Sequence, residues 1–168
     1  MRFLLLALAL LGISSAASAQ VDGPGPASPE HDWGWFAFGF GGSVLGRATG
    51  AVTANFGRER IVQAGLHGVG SGLFAPAVPS ANAAHISYGF SGVDRFSRVA
   101  FTLGPAVVWG VSDTETDTRY VTGGVVANAQ FMVTPLKEFG LGVDVFVNLN
   151  PEVPALGAAV TFAFEGNK

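Results

Sequence analysis

The sequence predicts an all-β fold: an eight-stranded antiparallel up-and-down transmembrane β-barrel. Three observations carry this. Apolar residues from residue 33 onward recur with period two, the period of a strand. Charged side chains cluster at the ends of the apolar stretches, and only Arg47 and Asp144 lie inside one. Cysteine is absent, so a domain of this size needs another covalent-free means of closure, which a hydrogen-bonded barrel supplies.

Residues 1–19 have the pattern of a secretory signal peptide. Met1-Arg2 forms a short positive start, Phe3 to Ile13 an apolar run, and Ala17-Ser18-Ala19 a small-residue cleavage site. The apolar run is shorter than the roughly 20 residues a spanning helix needs. Residues 20–32, rich in Pro and Gly, are expected to be a flexible N-terminal segment. The barrel is assigned to 33–164 and a short tail to 165–168. The mature chain is mildly acidic and its basic residues are scattered, which gives no nucleic-acid footprint.

The first four strands are expected over 33–41, 45–57, 61–73 and 82–91. In 98–110, Val99, Phe101, Leu103, Val107 and Trp109 alternate with Thr102, Gly104 and Ala106. In 120–133, Val121, Val125, Ala127, Ala129, Phe131 and Val133 oppose Thr122, Gly124, Asn128 and Gln130. The clearest stretch is 139–150. Phe139, Leu141, Val143, Val145, Val147 and Leu149 share one face; Gly140, Gly142, Asp144, Phe146, Asn148 and Asn150 share the other. A helix would smear these around its axis. The length matches the roughly 9–11 residues of a tilted membrane strand. The last strand repeats the alternation, with Leu156, Ala158, Val160, Phe162 and Phe164 against Gly157, Ala159, Thr161 and Ala163.

Connections at 57–60, 92–98 and 135–138 are short and charged. The opposite end receives a Gly41–Gly42 turn, the longer 72–81 and 111–118 segments, and 151–155; this asymmetry is that of an outer-membrane barrel. Aromatic residues near strand ends, among them Trp35, Phe56, Trp109 and Phe164, suit interfacial girdles.

A soluble sheet needs a charged outer face, and these segments lack one. Their apolar face is therefore assigned to lipid and their Gly, Ala and polar face to a filled lumen, since eight strands enclose only enough space for side chains. The expected lumen set includes Gln63, Asn128, Gln130 and Asn148. Arg47 and Asp144, opposite in sign, are expected to point inward and pair across the lumen. A soluble lipocalin-like periplasmic barrel is the architectural alternative.

On these residues the chain resembles small outer-membrane β-barrel proteins of Gram-negative bacteria, of the OmpA/OmpX type. The stretch EFGLGVDVFVNLNPEVPALGAAVTFAF is particularly similar to the final hairpin of such proteins. The resemblance implies a cell-outer-membrane location. It implies outer-membrane lipid and lipopolysaccharide as surroundings, and the barrel-assembly machinery as a partner that reads the aromatic end of the last strand, here Phe164. A monomer is expected, with a structural or interaction role: membrane integrity or contact through the outer loops. Small-solute transport and lipid modification are the functional alternatives.

The residues offer little chemistry. His85-Ile86-Ser87 resembles the His-x-Ser pair of outer-membrane lipid A deacylases, in which the His activates the Ser for acyl transfer. In that family the pair faces lipid, whereas here Ala84, Ile86 and Tyr88 occupy the lipid face. A polar lumen position is the expected reading, and the protein is expected not to be an enzyme. His67 and His85 fall on neighbouring strands but lack a carboxylate companion for a metal site. The Asp113–Asp117 acidic stretch lacks the Gly and terminal Glu of a calcium loop. No cofactor motif is present.

Overall fold

A computed structural model describes residues 34–44, 46–70, 79–94, 96–113, 116, 118–136 and 139–165. The expected signal peptide and 20–32 segment, residues 166–168 and most of the 72–81 loop lie outside the described residues. The described chain forms eight strands: β1 (Gly34–Ser43), β2 (Ala48–Phe56), β3 (Arg60–Val69), β4 (Ser80–Val93), β5 (Ser97–Asp113), β6 (Thr118–Leu136), β7 (Phe139–Leu149) and β8 (Ala155–Glu165). Each pairs antiparallel with its sequence neighbour, and β1 pairs with β8, so the sheet is a closed up-and-down barrel.

Closure leaves the sheet without edges, so every strand has a partner on both sides. Along β7 the exposed and buried residues alternate without a break: Leu141, Val143 and Leu149 are exposed, whereas Gly142, Asp144, Phe146 and Asn148 are buried. β8 does the same. The polarity is the reverse of a soluble barrel. Gln63, Thr53, Asn55, Asp144 and Thr161 are buried, while Phe40 and Phe90 are more than 60% exposed and Ile86 is 67% exposed.

The first strand differs from expectation. Gly41 and Gly42 are strand residues, opposite Thr49 and Ala48 on one side and Ala159 and Ala158 on the other. The turn comes later. The Ser43 amide donates to the Arg47 carbonyl at 2.7 Å, the Gly46 amide to the Ser43 carbonyl at 3.0 Å, and Gly46 takes a φ of 71° that favours glycine. Alternation could not reveal this, because glycine marks turns and crowded strands alike. The last strand also runs one residue beyond the expected barrel, to Glu165, which lies opposite Trp35.

β5 and β6 are the longest strands, 17 and 19 residues. Their ladder runs from Ser97↔Val133 to Asp113↔Thr118, with an irregularity between Val111 and Asp113. This hairpin therefore extends at the barrel end that also carries the 43–47 and 150–154 connections.

Candidate functional site

The lumen is filled in three layers. The layer at the end carrying the 43–47 and 150–154 connections is apolar: Val69, Ala81, Ala83, Ala106, Val108, Val126, Phe146 and Ala155 pack together, with Tyr120 and Val153 against them. The layer at the opposite end is a second apolar cluster, Trp35, Ala37, Ile61, Ala100, Met132 and Ala163. Between them lies a polar network.

Asp144 on β7 is fully buried. Its Oδ1 accepts from Asn128 Nδ2 at 2.6 Å and its Oδ2 from Gln130 Nε2 at 2.8 Å, both from neighbouring β6. Gln130 Nε2 also reaches across the lumen to Thr53 Oγ1 on β2 at 2.9 Å. Gln63 Nε2 on β3 donates to Asn55 Oδ1 at 2.7 Å and to Asn128 Oδ1 at 3.2 Å, and Thr102 Oγ1 donates to Gln63 Oε1 at 2.9 Å. Five of the eight strands are thus tied through buried side chains. Buried polar groups need such partners, and a satisfied network holds its strands in one register.

A histidine chain joins the network. Ser87 Oγ and His85 Nδ1 are 2.8 Å apart, His85 Nε2 and His67 Nδ1 3.0 Å, and His67 Nε2 lies 3.6 Å from Asp144 Oδ1. One tautomer assignment suits all three contacts: Ser87 donates to His85, His85 to His67, and the His67 Nε2 proton faces the carboxylate. The two rings stack at 4.9 Å, and His67 stacks on Phe146 at 4.2 Å. Two glycines make room. A Cβ on Gly65 would fall 2.3 Å from His85 Nε2, and one on Gly157 would fall 2.6 Å from the Phe146 ring.

The expected lumen residues divide. Gln63, Asn128 and Gln130 meet in the central network. Asn148 is buried nearer the end, where it accepts from Asn150 Nδ2 at 3.2 Å; Asn150 Oδ1 in turn accepts the Glu152 and Val153 amides. The expected Arg47–Asp144 pair is corrected. Arg47 precedes β2 rather than sitting within it, and its Nη1 donates to the Pro79 carbonyl at 2.9 Å. The basic side chain beside Asp144 is His67. The turn at 43–47 places Arg47 half-buried at the barrel end, away from Asp144.

Sequence reasoning missed a second ionic site. Arg98, assigned to a connection, is the second residue of β5 and is buried. Its Nη2 lies 3.0 Å from Glu165 Oε1, and its guanidinium carbon sits 4.1 Å from the centre of the Trp35 ring. Trp35, assigned to a girdle, faces inward and forms the floor of this cation–π contact. The signal was available as parity: Arg98 shares the row of Ala100 and Thr102.

His85 and Ser87 are 4% and 2% exposed, so the pair that resembles a deacylase motif opens onto the lumen network and not onto the outer wall. His85 Nε2 is taken up by His67, His67 Nε2 faces Asp144, and Asp144 accepts from Asn128 and Gln130. Among the described residues no group of three or more metal-ligating side chains has the arrangement of a metal centre.

No protein-family model and no curated protein sequence matches the chain. Solved structures do. A de novo designed transmembrane β-barrel aligns with 12% identity and a TM-score of 0.54, over 83% of this chain and 100% of that one. The Yersinia pestis outer membrane protein Ail, in a phospholipid bilayer nanodisc, aligns with 10% identity and a TM-score of 0.53, over 81% and 100%. The N-terminal β-barrel domain of Pseudomonas aeruginosa OprF aligns with 9% identity and a TM-score of 0.55, over 79% and 96%. The chain is similar to eight-stranded outer-membrane barrels in fold, and at these identities the likeness is one of fold alone.

Proposed function

We propose that the protein is an integral outer-membrane barrel, exported by its N-terminal segment and folded into lipid by the assembly machinery. Its role in this reading is structural or interactive, not conductive or catalytic. The observation that carries the reading is the inverted polarity. The wall presents Phe, Leu, Ile and Val, and the hydrogen-bonding side chains are inside. Such a wall in water would expose apolar surface far beyond the few hundred Å² that soluble monomers tolerate. In lipid it is the required surface, and closure satisfies each strand's backbone.

The filled lumen supports a sealed barrel over small-solute transport. Two apolar layers and the network between them occupy the space that a channel would need. The extended β5–β6 hairpin favours contact with partners at its end, which this reading places outside the cell.

The test is gel mobility of the membrane fraction, boiled against unboiled. A membrane barrel stays folded in detergent and shifts on boiling; recovery in the soluble periplasmic fraction would overturn the proposal. In planar bilayers the purified barrel is expected to give no stepwise conductance, and steady single-channel openings would replace the structural role with transport.

A further inference from the structure

The outer wall is not uniformly convex. A trough of about 600 Å³ crosses it over β1–β5, with a lining that is almost entirely apolar. Its floor follows one cross-strand row, in which Phe36 faces Ala54, Ala54 faces Ala64, and Ala64 faces Ile86. Two alanines between a phenylalanine and an isoleucine make a depression with raised ends. Leu66 and Val107, from the adjacent row, raise one side. Four strands at about 4.8 Å spacing make the row roughly 14 Å long.

At the far end of the trough the β4–β5 ladder misses two pairs without a change of register. The β4–β5 register is continuous to His85↔Ala106 and resumes at Tyr88↔Leu103. Between them Pro105 faces the trough and has no N–H to donate to β4. The trough is thus built from small side chains and a proline-interrupted ladder, at the level of Gly65, where an added Cβ would meet the His85 ring.

We propose that this trough is a binding site for a single lipid acyl chain. The inference rests on the membrane reading above and goes further, by assigning one place on the wall to one chain. Three observations favour this occupant. The surrounding wall, Phe36, Leu66, Ile86 and Val107 among it, is exposed and apolar, so the medium at that depth is hydrocarbon. The volume falls within the roughly 300–1,000 Å³ of sites that hold small apolar ligands. The trough is a depression, so a chain lying in it gains contacts with Phe36, Leu66 and Ile86 at its rim that a chain on the convex wall lacks. An empty trough would forfeit those contacts, because a gap has no partner atoms on one side. The row is perpendicular to strands that tilt by about 35–45° in such barrels, so the bound chain lies oblique to its neighbours in the bilayer.

The test uses the full barrel in mixed micelles of detergent and a phosphatidylcholine, released into a native mass spectrometer. The variants are Ala54→Leu/Ala64→Leu, which fills the trough, and Ala129→Leu, which places one such side chain on the outer face of β6. The wild type and Ala129→Leu are expected to carry one phosphatidylcholine at matched occupancy. The filled variant is expected to lose at least tenfold of it. Boiling-dependent gel mobility is read on all three. A barrel that lacks the shift contradicts the membrane reading itself. A barrel that shifts but carries no defined lipid, or keeps it when filled, overturns the trough alone. A two-chain mass that filling abolishes would assign the trough to a second copy, and would likewise overturn the proposal.

Discussion

Replacing Asp144 with alanine removes the acceptor on which the central network converges. Asn128 Nδ2 loses a bond of 2.6 Å and Gln130 Nε2 one of 2.8 Å, and both donors stay buried. Hydrogen bonds to a charged group contribute about 1.5–3 kcal/mol each. Two such bonds amount to about 3–6 kcal/mol. Part of the loss is recovered, because Gln130 Nε2 keeps Thr53 Oγ1 and Asn128 Oδ1 keeps Gln63. We expect a net loss of about 3–4 kcal/mol. Asp144→Asn provides the internal comparison. It keeps one acceptor oxygen and turns the other into a donor. Gln130 Oε1 has no hydrogen-bond partner among the described residues, so a rotated amide can accept that donor. The loss for Asn should be about 1–2 kcal/mol. The assay is reversible urea unfolding from lipid vesicles. With a urea dependence of about 1–3 kcal/mol per molar, the alanine variant shifts the midpoint down by roughly 1–4 M. An alanine variant within about 0.5 kcal/mol of wild type, or one more stable than Asp144→Asn, would refute the view that this carboxylate organises the lumen.

Other consequences follow from the same packing. Arg98→Met and Glu165→Gln, made singly and together, should show a coupling of about 0.5–3 kcal/mol in a double-mutant cycle; additive losses would show that the pair does not act as a unit. Phe146→Ala removes the ring stacked on His67 and should cost about 3–5 kcal/mol in unfolding experiments, since Gly157 leaves nothing to collapse into the space. Leu103→Arg places a charge on the outer wall and should cost about 2–4 kcal/mol in vesicles. A loss below about 0.5 kcal/mol would be the behaviour of a wall in water.

The fold was legible where side-chain size and polarity agree with parity. β7 and β8 alternate so strictly that their inner and outer rows are visible before any pairing is known, and Asp144 falls on an inner row for that reason, as Asn128 and Gln130 do on β6. The beginning of the barrel was harder. Gly39, Gly41 and Gly42 crowd the end of β1, so its inner face carries no polar mark there, and the turn was placed too early. That misplacement put Arg47 inside a strand and invented its partner. The network's wiring was not legible at all. Thr53 and Gln130 are 77 positions apart and meet only because the barrel closes. Arg98 escaped because a charge near a turn looks solvated, whereas closure turns it toward Glu165 and Trp35.

The most direct measurement of the inverted barrel is a single-cysteine scan of β7, clean because the chain has no cysteine of its own. Nitroxides at 141 to 149 in lipid vesicles report whether each position meets lipid, by their accessibility to oxygen against a water-soluble paramagnetic ion. The account predicts period two: Leu141, Val143, Val145, Val147 and Leu149 meet lipid, while Gly142, Asp144, Phe146 and Asn148 meet neither reagent. Odd positions open to the water-soluble ion would contradict it.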